Sequence, residues 1–389
     1  MLYTTMYKRN TNKSIQVWEL HRDENSYWSV SGKLEGKMTT NKHTACPPKQ
    51  KRTQEDQVIS VCDSQVEKKR RKKYVPNIED VDTANDNLPG FEPMLAHLYI
   101  DHKAKITYPC IVQPKLDGIR NLADASGFTS RGRKVFDSCR HIKEELDSFF
   151  AEQPHARIDG ELYTHEFRED FEKICAAVKK SHDRATPEEL ELQRKIKYWV
   201  YDAPRIGSLC EDDAFSDRQA CIAETFRDFK YVVVVPTVII QNEAELMKYK
   251  EQWIQEGFEG IMVRQMHAGY ESQRSFTLQK FKDFVDAEWV IVQINEGEGK
   301  LHGHAGSFSF PIDRADTAGM LDGSIPIILK KGANGNAFSG KLIGSIGRLK
   351  TIFENPDMAI GKEATIRYQN LTCYDVPRFP VCRCIRDYE

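Results

Sequence analysis

The sequence predicts an α+β protein in three parts: a small, mainly β module over residues 1–75, a larger α+β domain over residues 91–285, and a β-barrel over residues 286–389, with a linker at 76–90. Three observations carry this reading. Short β-type runs alternate with polar turns over residues 3 to 38 and give way to a helical stretch at 53 to 73. Strands and helices then intermix up to about residue 286, the pattern of an α+β domain. Beyond that point short strands alternate with glycine-bearing turns around one helical stretch near residues 347 to 355, which suits a small barrel.

Taken in order, SIQVWEL and SYWSVSGKL supply strands of the first module, and its helix ends in the basic run Lys68 to Lys73. A helix C-terminus favours cations through its dipole, and the same run can be read as a nuclear address. VPNIEDVDTANDNLPG, residues 75 to 90, is acidic, proline-flanked and aperiodic, so it reads as a linker. In the central domain IVQPK, ARIDGELYT, IKYWVYDAP, YVVVVPTVII and GIMVRQ read as strands, and residues 141 to 152 and 242 to 256 as helices. EWVIVQI, GSFSFPI, IPIILKKG and ATIRYQNL read as barrel strands; OB-like barrels of this size often bind nucleic acid.

Composition narrows the classes. A chain of 389 residues, 40% hydrophobic and 29% charged, suits two or three domains with a sizeable core. No run of 18 apolar residues occurs and MLYTTMYKRN lacks an apolar signal core, so the expectation is an intracellular protein, in cytoplasm, nucleoid or nucleus, without a membrane partner. The ten cysteines form no CxxC pair and read as reduced thiols, and His302 and His304 read as solvated loop residues. The net charge of −2 hides an uneven division: residues 1 to 74 carry +8 and the remainder −10. A segment this basic points to a polyanionic partner.

Chemistry gathers in the central domain. IVQPKLDGIRN places Lys115 where a short apolar run meets a tight loop, two residues before Asp117 and five before Arg120. Lysine is usually a solvated surface charge, but it becomes a covalent nucleophile where burial or neighbouring cations depress its pKa. In RIDGELYTH the carboxylates Asp159 and Glu161 lie two apart on a strand and so share a face. Glu259 enters a strand in which Ile261 and Val263 share a face, and Lys280 and Lys282 alternate onto one face of LQKFKDF. Cations to neutralise phosphates and carboxylates to hold ribose and a divalent metal are what nucleotidyl transfer requires.

These stretches resemble the covalent nucleotidyltransferases, and among them the ATP-dependent DNA ligases of the small viral and phage type. The similarity runs in the family's order: K-x-D-G-x-R from Lys115 to Arg120, the arginine-bearing TSRGR with Ser130 to Arg133, then Asp159 to Leu162. YWVYDAP with Tyr201, Glu259 to Arg264, Lys280 to Lys282 and a C-terminal VPRFPVCRCIRD complete it, over residues 91 to 389. Two departures stand out: Leu278 and Gln279 precede the first lysine of the fifth motif, and Arg264 could serve as an ion-pair residue.

The resemblance implies a nucleotidyltransferase domain followed by an OB-fold barrel, with ATP and Mg²⁺ (or Mn²⁺) as cofactors and nicked double-stranded DNA as partner of a monomer. Lys115 would attack the α-phosphate of ATP. Glu161 would hold the ribose, Glu161 and Glu259 the metal, Tyr201 would stack on adenine, and Gln113 would meet the base edge. Lys280 and Lys282 would grip phosphates, with Arg386 or Arg378 orienting pyrophosphate. Arg120, Arg131 and Arg274 match positions that meet the nick, and Arg120 would also contact the nucleotide. Residues 2 to 74 resemble a WGR-type module, with Ser31, Gly32 and Lys33 at its signature, and its Lys68, Lys69, Arg70 and Arg71 would track the DNA backbone. An RNA ligase or an mRNA capping guanylyltransferase shares the same lysine and carboxylates, and a non-catalytic nucleic-acid binding protein would share the outer modules; residues 311 to 326 could form a clamp.

Overall fold

The computed structural model describes residues 1–10, 12–49, 52–84, 88–329, 335–372 and 374–386. The chain divides into two compact units, one of Met1–Ala84 with Phe284–Glu389 and one of Asn85–Asp283. Among the described residues no helix is long and apolar enough to cross a membrane.

The Asn85–Asp283 unit is built on two sheets. The first has six strands in the order Val135–Phe136, Gly127–Ser130, Ile119–Asp124, Arg157–Tyr163, Lys197–Arg205 and Val232–Val234. The second has five, in the order Val238–Ile240, Cys110–Lys115, Gly260–Gln265, Arg274–Phe281 and Leu95–Leu98. Neighbours are antiparallel except Lys197–Arg205 with Val232–Val234 and Arg274–Phe281 with Leu95–Leu98. The run YVVVVPTVII is therefore two strands rather than one. Pro236 can donate no ladder hydrogen bond, and the chain passes from one sheet to the other there.

Helices cover these sheets through apolar stripes. Arg140–Glu152 buries Ile142, Leu146, Phe149 and Phe150, the spacing of one helical face, against Ile158, Phe226 and their neighbours. Glu243–Gln255 starts at Asn242, whose side chain accepts from the Glu245 amide, and packs Leu246 and Trp253 on Ile261 and Val263. Burial of such side chains contributes about 1.5–3 kcal/mol each, so the far face of the second sheet is firmly fixed. Its other face carries Gln113, Lys115 and Lys280 beside the apolar Met262 and Leu278.

In the other unit, Leu2–Arg9, Ile15–Arg22, Ser26–Lys33 and Met38–Thr40 form a meander, with Thr44–Ala45 pairing the third strand. The helix Gln54–Arg70, capped by Thr53, covers Met6, Trp18 and Leu20 with Val58 and Cys62. Residues 75 to 84 are not a free linker. Val75 bridges Tyr7, Arg9 forms a two-point ion pair with Asp82, and Val81 and Ala84 are buried.

The barrel strands run Val285–Val290, Glu363–Tyr368, Val381–Ile385, Ala337–Leu342, Ala305–Pro311 and Gln293–Glu296, around Trp289, Phe308, Phe310 and Ile366. The predicted strand IPIILKKG is not one over its described part. Ile325, Ile327 and Leu329 instead pack beside Val292, Met320 and Ala337, and residues 330 to 332 lie outside the described residues.

Candidate active site

Strand register assembles the site. Lys280, Met262 and Gln113 form one cross-strand row, because Met262 pairs with Lys280 on one side and with Gln113 on the other. Lys115 lies two residues beyond Gln113 on the same face and pairs with Gly260. Gly260, at φ +149°, passes close under Phe281, and a Cβ there would lie 2.3 Å from the Phe281 carbonyl oxygen; only glycine lets Glu259 turn back beside Lys282. On the first sheet Glu161 pairs with Arg120 and with Trp199. Gly118 is needed for the approach, since a Cβ would meet Leu162 O at 2.6 Å and Glu161 Cγ at 2.8 Å.

The Lys115 ammonium is ion-paired with Glu259, whose other oxygen accepts from Lys282 at 2.9 Å, and the Glu259 amide donates to Lys115 O at 3.0 Å. Burial favours the neutral acid of Glu259, but the ammonium groups of Lys115 and Lys282 outweigh it and hold the carboxyl below its usual range. Burial pushes Glu161 the other way, up to about 7, against the pull of Lys115 and Arg120. Lys280 is lowered by burial and then by Lys115 and Lys282. Three lysines and two carboxylates thus share one electrostatic environment.

Lys115, Lys280 and Glu161 border a cavity of about 230 Å³, whose lining also includes Gln113, Tyr201 and Met262. Arg120, Arg131, Arg264 and Arg274 line it too, so its walls are strongly cationic. Two guanidinium groups approach the Tyr201 ring, Arg120 at 5.6 Å and Arg264 at 5.7 Å from its centre. Gln113 is 1% exposed; its Nε2 donates to Tyr201 O and Thr237 Oγ1, while Oε1 has no hydrogen-bond partner among the described residues. The site thus offers an aromatic face, an amide acceptor and a cationic wall around an amine. That set suits a purine nucleotide.

Several arginines are anchored as well as lining. Arg120 makes a two-point contact with the buried Asp159 and donates to Met94 O at 2.7 Å; Tyr270 adds a hydroxyl to Asp159 at 2.6 Å. Arg264 pairs with the buried Asp202 at 2.6 Å, which Arg218 also engages, so it is the ion-pair residue its sequence context allowed, while lining the cavity. Arg131 is exposed, whereas Arg133 in the same loop is buried and donates to the carbonyls of Leu88, Pro89 and Gly90. Arg274 donates to Ala96 O. Gln279, the departure in the fifth motif, ties down the carbonyls of His102 and Phe276 beside the bulge in its strand.

Other predicted residues belong elsewhere. Arg386 is in the barrel unit, where it donates to Glu288 at 3.1 Å, and Arg378 there approaches Asn370 at 3.4 Å. Lys69 turns inward from the basic run Lys68 to Lys73. Its ammonium lies 4.7 Å from the Trp18 ring centre and 4.6 Å from that of Tyr74, and burial followed by Lys72 and Lys8 lowers it to about 8. Lys68 and Arg70 remain exposed, Arg70 pairing with Glu67, and Arg71 is half-buried. Met262 was missed by sequence reasoning. The alternation in GIMVR signalled it, since Ile261 and Val263 face the helix layer and Met262 must face the cavity.

Residues 93–282 match the family described as the ATP dependent DNA ligase domain. The DNA ligase of African swine fever virus is 28% identical over 201 residues, covering 48% of this chain and 45% of its own length. That of enterobacteria phage T4 is 27% identical over 263 residues, covering 55% and 54%. The chain therefore spans about half the length of these curated relatives. Among solved structures, one of a Lig E DNA ligase aligns at 23% identity with a TM-score of 0.57, covering 77% of this chain and 100% of that one. Pmar-Lig_Pre aligns at 17% identity with a TM-score of 0.62, covering 80% and 72%. Both share the fold. The match leaves residues 1–92 and 283–389 outside the family region.

Proposed function

We propose that the chain, whose residues 93–282 match the ATP dependent DNA ligase domain, is a member of the ATP-dependent DNA ligase family and seals nicks in duplex DNA through a lysyl-AMP intermediate. The observation that carries this reading is the Lys115 amine at the edge of a nucleotide-sized cavity, paired with Glu259 and surrounded by Glu161, Lys280 and Lys282. The Lys115 ammonium, paired with Glu259, gives up a proton to solvent, and the freed amine attacks the α-phosphorus of ATP, losing its second proton to solvent as the phosphoramidate forms. A P–N bond forms, the bond to the bridging oxygen breaks, and pyrophosphate leaves. AMP then passes to a 5′-phosphate, and the 3′-hydroxyl displaces it as the phosphodiester forms. The protein's contribution is positioning and charge stabilisation, which dominate phosphoryl transfer.

Tyr201 offers its face to the base, and Gln113 offers an acceptor to the exocyclic amine of adenine; a guanine, with a 6-oxo group, would meet that acceptor with another. This favours ATP over the GTP of a capping guanylyltransferase. Lys280 and Lys282 neutralise phosphate oxygens, and Arg131 and Arg274 at the rim are the candidates to meet the nick. Glu161 and Glu259 would hold a divalent cation, Mg²⁺ or Mn²⁺, whose chemistry would be to screen phosphate charge. Their carboxylate oxygens fit a hard ion, and no group of three His, Cys, Asp or Glu poised for a metal occurs among the described residues, so phosphate and water would supply the other ligands. The basic module at residues 1–75 would add backbone contacts through Lys68, Arg70 and Arg71, and Arg386 would orient pyrophosphate.

The test is incubation with α-labelled ATP and a nicked duplex. The expected sequence is label on protein, then on the 5′ end of the nick, then a sealed strand with free AMP. Label on protein from GTP in preference to ATP, or sealing without a protein adduct, contradicts the reading.

A further inference from the structure

Among the described residues the amide of Gln113 is held at its nitrogen end only, and the geometry of that grip is directional. Nε2 donates to Tyr201 O at 3.2 Å and to Thr237 Oγ1 at 3.0 Å. A backbone carbonyl can only accept, so the amide atom facing Tyr201 O has to be the nitrogen. Thr237 is polarised in the same sense. Its hydroxyl donates its one proton to Val235 O at 2.9 Å, and its oxygen accepts from both Gln113 and the Gln219 Nε2 at 2.9 Å, filling the two acceptor positions a hydroxyl offers. Gln219 is 7% exposed on the helix Phe215–Thr225, and Thr237 immediately precedes the strand Val238–Ile240. Turning the Gln113 amide over would set Oε1 against Tyr201 O and against a Thr237 oxygen whose proton is already engaged. Both contacts would be acceptor against acceptor.

We propose that Thr237, braced by Gln219, is a positioning residue for base specificity: it keeps Gln113 Oε1 as the acceptor presented to a 6-amino purine and bars the orientation that would serve a 6-oxo purine. The inference rests on the cavity being the purine nucleotide site described above. It assigns specificity to a hydroxyl that borders a separate groove, with Gln219, Val235 and Ile239, rather than the nucleotide cavity itself. A shared hydroxyl of this kind acts on the bound base and leaves the phosphate chemistry alone.

The experiment measures adduct formation on the full chain with ATP and with inosine triphosphate, which carries a 6-oxo group in place of the amine. Thr237→Val removes the acceptor while keeping the branched shape. It should lower the ATP-to-inosine triphosphate preference by about five- to tenfold, the consequence of losing one neutral hydrogen bond. The change should lie in KM for ATP, with kcat at saturation preserved. Thr237→Ser should restore the wild-type preference, and Gln219→Leu should lower it less than Thr237→Val. An unchanged preference in Thr237→Val, an equal loss of kcat with both nucleotides, or a Thr237→Ser variant as permissive as Thr237→Val would overturn the brace. Absence of any covalent adduct in the wild-type protein would overturn the nucleotidyl-transfer reading and the brace with it, whereas a normal wild-type adduct with an unchanged ratio in Thr237→Val overturns the brace alone.

Discussion

Lys115 and Lys69 are both drawn out of bulk solvent, but into opposite surroundings. Lys115 ends a strand of the central unit and meets Glu259, itself shared with Lys282, beside a cavity. Lys69 ends a helix of the basic module and meets the faces of Trp18 and Tyr74. Carboxylates with a cavity beside them leave an amine that a ligand can reach; two aromatic rings leave a stem that packs. Charge density along the sequence therefore does not mark the chemistry. What the charges touch does.

The largest test of that contrast is Lys115→Ala, which should abolish protein adenylylation yet retain sealing of a pre-adenylylated nick, because the later steps use the phosphate grip rather than the amine. Lys115→Arg should be equally inactive in the first step, since guanidinium stays protonated. Within the cavity, Lys280→Ala should impair sealing of pre-adenylylated nicks more than Tyr201→Ala does. Stacking contributes about 1–3 kcal/mol per base, and its loss should show mainly as a raised ATP requirement. Equal defects in both assays would make Tyr201 a packing residue only.

Glu161 gives the contrast a pH signature. Burial raises its carboxyl from 4.5 to about 7 in the folded protein, so between those values the folded state binds more protons than the unfolded chain. Its contribution to stability is complete below about pH 4.5 and is lost as pH rises through about 7. Urea unfolding at several pH values should show that decline, and Glu161→Gln should flatten it; the same slope in the variant would assign it to another group.

Lys69 gives a smaller effect with the sign reversed between two substitutions. Its lowered pKa means that burial costs more than the rings return, so Lys69→Met, which keeps the stem, should raise the unfolding midpoint. Lys69→Ala should lower stability by about 1 kcal/mol through poorer packing. The smallest effect concerns its neighbours. Lys68→Gln with Arg71→Gln should leave stability and adenylylation unchanged while making the salt dependence of nick binding shallower by roughly 0.9 for each phosphate no longer neutralised. An unchanged slope would remove the module's basic run from DNA binding.

How much of this was legible follows from the same contrast. Lys115, Glu161, Glu259, Lys280 and Lys282 could be read because each sits at a strand end or on an alternating strand, where a period of two fixes the face. The strands IVQPK and GIMVRQ and the helices at 141–152 and 242–256 were readable for the same reason of periodicity. The inward turn of Lys69 was not, because six consecutive cations carry no periodicity and only the tertiary approach of Trp18 and Tyr74 distinguishes one of them. Thr237 was equally silent: it lies between two strands that pair in different sheets, and its importance comes from Gln113, 124 residues away in sequence. The acidic stretch 75–84 looked like a linker because Asp82 meets its partner Arg9 only in the fold.

The measurement that bears most directly on the account is peptide mapping of the protein after brief incubation with ATP and a divalent metal. An acid-labile AMP adduct should reside on the peptide carrying Lys115 and disappear when unlabelled pyrophosphate is added in excess. An AMP adduct on any other lysine, Lys280 and Lys282 included, or persistence of the adduct in Lys115→Ala, would contradict it.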